Sequence, residues 1–265
     1  MTKGPLKLIQ VSDVHLLADQ EGELLGVKTN QSFQAVLEYL KHEKELMDCI
    51  ILSGDLSQDG SEIAYKRIAH LLEPFNVPVY CIPGNHDDVR MMHQIYPYKS
   101  IQLDRHLLYQ HWQIILLNSQ KPGEVPGYLD VSEFKHLQAC LEAYPKHHTL
   151  IFFHHHPFSI GVQWLDPLGL TNADEFFKII QPYTHIKAIF FGHIHQAVEK
   201  VKQGIHCYAV PSTCIQFKPN QKQFGLEKIP PGYRWIHLYD DGSIKTGIKR
   251  IPEYVGVFDE GTKGY

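Results

Sequence analysis

The residues in this chain best suited to chemistry are oxygen and imidazole donors that recur behind short apolar runs. Leu8-Ile-Gln-Val-Ser12 leads into Asp13-Val-His15, Cys49-Ile-Ile-Leu-Ser-Gly54 into Asp55, and Val79-Tyr-Cys-Ile-Pro-Gly84 into Asn85-His86-Asp87. Leu150-Ile-Phe-Phe153 leads into His154-His-His-Pro157, and Ala188-Ile-Phe-Phe-Gly192 into His193-Ile-His195. The donors gathered this way are two aspartates, one asparagine and four histidines, without a cysteine. Such a mixture suits borderline divalent metals such as Mn, Fe or Zn better than Ca or Mg, which prefer all-oxygen cages. Seven donors exceed what one ion with an open position uses. If one carboxylate is shared, they fit two ions roughly 3.5–4 Å apart, the arrangement of metal-assisted hydrolysis. Any one of these triplets alone is an ordinary turn; their ordered recurrence, each time after an apolar run, is what marks a site.

The runs that carry the donors read as strands. Short segments rich in Ile, Val, Phe and Tyr alternate with longer ones of helical period. Strands are expected at Leu6–Val11, Cys49–Leu52, Val79–Ile82, Leu107–Tyr109, Gln113–Asn118, Thr149–Phe153, Lys187–Phe191, His206–Val210, Tyr233–Tyr239 and Ile244–Lys249. Helices are expected at Gln31–Leu46, Ser61–Glu73, Ser132–Ala143 and Ala173–Ile180, with Asp59 or Ser61, then Ser132 and Asn172, as caps. Beyond Ile205 the helical period disappears and Pro and Gly turns separate strands. The simplest architecture is an α/β sandwich of two sheets flanked by helices, one domain over residues 1–265. Ligands gather beyond the carboxyl ends of strands in open α/β sheets, so the donor segments can converge there. The pairs Asp13/His15 and His193/His195 are spaced i, i+2, which in extended backbone puts both side chains on one face. Gly54, Gly84 and Gly192 stand immediately before their donors, where a missing Cβ permits a sharp turn or a close approach.

Composition narrows the function classes. Apolar residues make up 43% and charged residues 20% of the 265, which excludes a disordered or coiled-coil chain. The formal charge of −4 is mild and of the wrong sign for binding a nucleic-acid polymer by phosphate neutralisation. Cys49, Cys81, Cys140, Cys207 and Cys214 are odd in number and form no Cys-x-x-Cys pair, so free thiols in a reducing cytoplasm are expected. No apolar run approaches the roughly 18 residues of a membrane span, and the N-terminus lacks a signal-peptide core. No membrane partner is expected, and monomer and dimer are both open.

The ordered set Asp13-x-His15, Gly54-Asp55, Gly84-Asn85-His86-Asp87, His155-x-Pro157 and Gly192-His193-x-His195 resembles the calcineurin-like metallophosphoesterase superfamily. Within it, His154-His-His-Pro157, Trp164-Leu-Asp166, Asn172-Ala173, Gly192-His-Ile-His-Gln196, Pro211–Pro219, Pro230–Trp235 and the terminal Gly264-Tyr265 are similar to the bacterial 3′,5′-cyclic AMP phosphodiesterase family. The resemblance implies a four-layer αββα sandwich of two mixed sheets and a dinuclear centre of Fe or Mn, with Zn the alternative. It implies Asp13, His15, Asp55 and His195 on the first ion and Asp55, Asn85, His155 and His193 on the second, Asp55 being the bridge. His154 and His156 would then be neighbours of a ligand.

The implied reaction is hydrolysis of cyclic AMP to 5′-AMP by in-line attack of a metal-bridging hydroxide. His86, held by Asp87 or Asp59, would stabilise the transition state and protonate the departing ribose 3′-oxygen. Asp55 and His86 are thus the expected catalytic residues, and His15, Asn85, His86, His195, Trp164 and Asn172 the substrate-binding ones. The same metal core would serve a broader phosphodiesterase, a nucleotide pyrophosphatase or a phosphomonoesterase, and a non-catalytic scaffold stands as the rival from another class.

Overall fold

The computed structural model describes residues 4–42, 47–254, 256 and 264. In chain order the first elements are β1 (Leu6–Val11), the short pair β2 (Glu23–Leu24) and β3 (Val27–Lys28), α1 (Thr29–His42), β4 (Cys49–Ser53), α2 (Glu62–Leu72), β5 (Val79–Ile82), α3 (Val89–Ile95) and β6 (Ile101–Gln102). Next come β7 (His106–Tyr109), β8 (Trp112–Leu116), α4 (Val131–Ala143), β9 (His148–Phe152), α5 (Ala173–Ile180), β10 (Ile186–Phe191), β11 (Glu199–Lys202) and β12 (Ile205–Ala209). The chain then returns to the first sheet through β13 (Gly232–Leu238) and β14 (Ile244–Arg250).

Two mixed six-stranded sheets result, in the orders β14-β13-β1-β4-β5-β6 and β11-β12-β10-β9-β8-β7. The strands that carry donors are the parallel, central ones: β1, β4 and β5 pair side by side in one sheet, and β9 pairs β10 in the other. Their carboxyl ends therefore point the same way within each sheet.

Alternation of side chains along each strand builds three separate cores. Ile9, Val11, Ile50 and Leu52 face α1 and α2, packing on Phe33, Leu37, Tyr65 and Ile68. Their neighbours Leu8, Cys49 and Ile51 point the other way and meet Ile114, Leu116, Leu150, Phe152 and Phe190 from the second sheet. Ile115, Ile151, Phe153, Ile189 and Phe191 then cover Phe134, Leu137, Phe176 and Phe177 of α4 and α5. Central strands buried on both faces read as unbroken apolar runs, which is why Cys49–Leu52 and Ala188–Phe191 lack a polar face. Each fully buried Leu, Ile or Phe contributes about 1.5–3 kcal/mol. Three stacked cores make the four-layer αββα sandwich.

Several local expectations need correction. The second cap is Asp130, not Ser132: the Asp130 carboxylate accepts the backbone N–H groups of Ser132 and Glu133. α1 begins at Thr29, ahead of Gln31, and the expected extension over 43–46 lies outside the described residues. α3 and the strands β2, β3, β6 and β11 were not expected. α3 is short and fully buries only Met92, with Met91 and Ile95 packed beside it, and β11 is exposed along most of its length. Among the described residues, no helix is long and apolar enough to cross a membrane, and the cysteines Cys49, Cys81, Cys140, Cys207 and Cys214 are buried and free.

Candidate metal centre

The loops leaving β1, β4, β5, β9 and β10 bring their donors together where the two sheets' strand ends meet. Backbone bonds fix the junction: Asp13 donates its N–H to the Gly54 carbonyl at 3.0 Å, Val14 and His15 donate theirs to the Asp55 carbonyl at 2.8 and 2.9 Å, and Gly192 bonds the His154 carbonyl at 3.0 Å. The extended i, i+2 arrangement expected for the two pairs is not what the backbone adopts. Asp13, His15, Asp55, His193 and His195 all have φ between 49° and 68°, the left-handed region that non-glycine residues rarely occupy. The side chains converge because the chain turns sharply at each donor. Such strain gathers at functional sites, where surrounding structure over-determines the conformation. The adjoining glycines make room: a Cβ on Gly54 would strike the His154 ring, and one on Gly84 the Asp55 carboxylate.

Asp13 and Asp55 are buried at the centre. Asp13 accepts the His193 N–H at 3.1 and 3.2 Å through its two oxygens, with His195 Nε2 3.3 Å and His154 Nε2 3.9 Å from its Oδ1. Asp55 Oδ1 accepts the His86 N–H at 2.9 Å, while its Oδ2 lies 3.2 Å from His154 Nε2 and 3.8 Å from His15 Nε2. Burial opposes both negative charges, but it is outweighed: His195 and His154 hold Asp13 below the ordinary carboxylate range, and His154, His86 and His15 hold Asp55 well below it. Burial likewise opposes a charge on His154, yet Asp55 and Asp13 raise it to about 9. His15 is pushed down to about 3 by burial in spite of Asp55.

Tautomers turn this cluster into a test for a cation. His15 Nδ1 donates to the Gln58 side-chain oxygen at 2.7 Å, and His195 Nδ1 donates to the Ile215 carbonyl at 2.9 Å. Each neutral ring therefore presents a lone pair on Nε2, and the two Nε2 atoms face each other at 3.2 Å. Facing lone pairs, buried beside two carboxylates, demand a cation or an added proton. His154 repeats the pattern, with Nδ1 donating to the Ser53 carbonyl at 2.8 Å and Nε2 buried without a hydrogen-bond partner beside Asp55. His193 Nε2 and Asn85 Oδ1 are also buried and unpartnered among the described residues. Metal-binding histidines characteristically donate the other ring nitrogen to a carbonyl or side-chain oxygen, so these residues fit a pair of ions. The groups compatible with metal binding are Asp13/His15/His195, His15/Asp55/His86, Asp13/Asp55/His154 and His154/His155/His193.

His155 falls with His154 and His193 in one of these groups. Within the protein its Nε2 donates to the Val125 carbonyl at 3.0 Å and its Nδ1 accepts from the Ser119 hydroxyl at 2.8 Å. His154, one residue earlier, turns its free Nε2 to the carboxylates. The Asn172 side chain is engaged within the protein: its oxygen accepts the Leu129 N–H and its amide donates to the Leu129 carbonyl, at 3.1 and 2.8 Å, tying two loops together. Neither carboxylate expected to hold His86 does so. Asp87 accepts N–H groups of Gly84, Leu56 and Ser57 and the Tyr65 hydroxyl, which locks the β4 and β5 loops to one another. Burial and the charge of Asp55 push Asp87 up to about 6. Asp59 is taken by Ala18, Ser57 and Ser61.

His86 is partly exposed, its ring 5.1 Å from that of His15 and edge-on. It opens with Asn85 and His193 onto a cleft of about 700 Å³ that Trp164, Phe217 and Phe224 also line. Residue types alone did not single out Gln58 and Ile215 as orienting groups, because one is a neutral amide and the other acts through its backbone.

Residues 6–197 match the family model for calcineurin-like phosphoesterases, and the chain belongs to that family. Over the full length it is similar to 3′,5′-cyclic adenosine monophosphate phosphodiesterase CpdA of Pseudomonas aeruginosa, 37% identical across 100% of this chain and 97% of the relative. The CpdA of Haemophilus influenzae is 41% identical across 95% and 92%. Among solved structures, a dimetal phosphatase from Danio rerio superposes with a TM-score of 0.69 at 14% identity, covering 90% of this chain and 94% of that one. Yellow lupin purple acid phosphatase PPD1 gives 0.66 at 12%, covering 94% and 52%. At these identities the structures show the shared fold.

Proposed function

We propose that this chain hydrolyses 3′,5′-cyclic AMP to 5′-AMP at a centre of two divalent transition ions, Fe or Mn, with Zn as the alternative. The observation that carries the reading is the pair of imidazole lone pairs on His15 and His195 facing each other at 3.2 Å beside buried carboxylates. Full-length similarity to curated cyclic AMP phosphodiesterases supports the substrate.

Asp13, His15, Asp55 and His195 would hold one ion, and Asp55, Asn85, His154 and His193 the other. In this reading His154 takes the place that the family resemblance implies for His155. When bound, such ions bring a water toward neutral acidity and neutralise charge on phosphoryl oxygens. The protein's own part is positional. The Gln58 and Ile215 acceptors keep His15 and His195 in the tautomer that presents Nε2, and the Asp87 clamp keeps Asp55 and Asn85 in register. The His86 N–H to Asp55 Oδ1 anchors the backbone of His86, leaving its ring beside His15 at the mouth of the cleft. In this reading the ring hydrogen-bonds the phosphate and delivers a proton to the departing ribose 3′-oxygen. The whole chain, 1–265, acts as one domain, and its buried free thiols suit a reducing cytoplasm.

A turnover panel tests the reading. Cyclic AMP hydrolysed to 5′-AMP, in preference to 2′,3′-cyclic AMP and an aryl phosphomonoester, is the expected result. Turnover of the monoester without any of the cyclic diester contradicts it.

A further inference from the structure

The segment that leaves β8 touches two donor loops at once, although none of its side chains belongs to the proposed metal centre. Leu117 donates its N–H to the Phe152 carbonyl at 2.8 Å and Asn118 donates to the Glu133 carboxylate at 2.9 Å, which ties the segment to β9 and α4. The next residue, Ser119, is fully buried. Its hydroxyl accepts the backbone N–H groups of His154 and His155 at 3.2 and 3.3 Å and donates to His155 Nδ1 at 2.8 Å. One proton and two lone pairs are all a hydroxyl offers, so every bond it can make goes to the β9 loop.

Gln120 reaches the other way. Its backbone N–H is held by the Asn118 side-chain oxygen at 2.8 Å, and its side-chain amide nitrogen donates to the Gly84 carbonyl at 2.7 Å and the Asp87 carbonyl at 2.6 Å. Both amide protons are used, and two carbonyl acceptors dictate which end of the amide faces them. Gly84 and Asp87 bracket Asn85 and His86. Consecutive Cα atoms stand about 3.8 Å apart across a trans peptide, so two adjacent residues grip the β9 loop of one sheet and the β5 loop of the other. The Asp87 carboxylate, by contrast, ties the β5 loop to the β4 loop within a single sheet.

We infer that Gln120 is a positioning residue that sets the spacing between the Asn85–His86 loop and the His154 loop, and through it the grip on the second ion. The inference rests on the two-ion reading above, in which that ion takes Asn85 from one loop and His154 from the other. The first ion takes Asp13, His15, Asp55 and His195, none of which lies on a loop that Ser119 or Gln120 holds. Loss of the brace should therefore separate the two ions. A residue that served only general stability would weaken both.

Affinity for Mn²⁺, measured on the full metal-free chain by competition with a chromogenic chelator, tests this in Gln120→Met and Gln120→Glu. Each keeps the length of the side chain and removes both N–H donors. The second ion should bind about 10–100-fold more weakly in each, the usual effect of removing a group that orients a ligand, even though the charge of glutamate by itself favours a cation. In the His154→Ala background, which leaves the first ion alone, adding Gln120→Met should shift affinity by less than about threefold. Either variant within about twofold of wild type, or an equal loss on the first ion, overturns the inference. If neither folds, Gln120→Asn, an amide one methylene shorter, takes their place with the same outcomes. Wild type that binds no second ion contradicts the dinuclear reading. The brace is then judged without metal: the Gln120 side-chain amide protons should exchange with solvent at least about tenfold more slowly than those of the exposed Gln20, and equal exchange overturns it.

Discussion

The donor side and the aromatic side of the cleft are built on opposite principles. On the donor side every functional group sits at a strand end, nearly all of it buried, with the backbone forced into left-handed turns and glycines clearing the space. On the aromatic side, Trp164, Phe217 and Phe224 lie outside the strands and α-helices, in loop segments after β9 and β12, and two of them are partly exposed. Fixed geometry suits charge, where small displacements leave a buried carboxylate or imidazole without its counterpart. Apolar stacking accepts looser placement, because it is non-directional. The donor side should therefore respond to substitution as all or nothing, and the aromatic side by degrees.

The sharpest way to break that contrast lies between His154 and His155, neighbours with opposite roles. His154→Ala should leave protein that retains no more than one of two ions after dialysis and has no measurable turnover. His155→Ala should keep both ions and instead lose about 1–3 kcal/mol in urea unfolding, as the Ser119 and Val125 groups lose a buried partner. Loss of an ion in His155→Ala with retention in His154→Ala would reverse the assignment. Next in size, His86→Ala should lower kcat by about 10²–10⁴-fold with metal content unchanged, the range for removal of a positioned general acid; a drop below tenfold removes it from proton transfer.

A smaller effect is expected from Gln58, which touches no ion directly. Gln58→Ala should weaken metal affinity about 10–100-fold, as measured by competition with a chromogenic chelator, by releasing the His15 tautomer. Affinity equal to wild type would show that His15 needs no such support. Away from the site, Asp130→Ala should cost about 1 kcal/mol of stability at pH 7 through loss of the α4 cap. The Ser132 hydroxyl and the backbone N–H groups of Glu133 and Ser132 lower the Asp130 carboxyl in the folded state, so the cap's contribution is present above the ordinary carboxylate range and fades as pH falls through the lowered value. Denaturation at pH 7 and in progressively stronger acid checks the sign: the wild-type advantage should fade as pH falls.

What the sequence made legible follows the same division. Apolar runs such as Cys49–Leu52 and Ala188–Phe191 announced the central strands because both their faces are covered, and a donor straight after each run announced the site. β11 was not legible because it is largely exposed, and α3 because its seven residues are too few for a helical period to stand out. The i, i+2 spacing of Asp13 and His15 pointed to one face of a strand, but side-chain alternation holds only in extended backbone, and these residues have φ of 54° and 51°. His154, His155 and His156 are chemically identical in sequence. Only the path of the loop, with Gly54 leaving space for one ring and Ser119 and Val125 occupying another, tells them apart. Asn172 looked available for a ligand because a side-chain amide offers both donor and acceptor. Its use on the Leu129 backbone depends on a contact between segments 43 residues apart.

Everything proposed for catalysis depends on the facing imidazoles and carboxylates holding two cations. Elemental analysis of the full chain, purified without chelator and dialysed against metal-free buffer, measures this directly. Close to two transition ions per chain, drawn from Fe, Mn and Zn, is the expected result. A chain that retains none, and takes up none when Mn or Zn is added in excess, would mean that His15, His154 and His195 are satisfied by protons alone, and the account would be wrong.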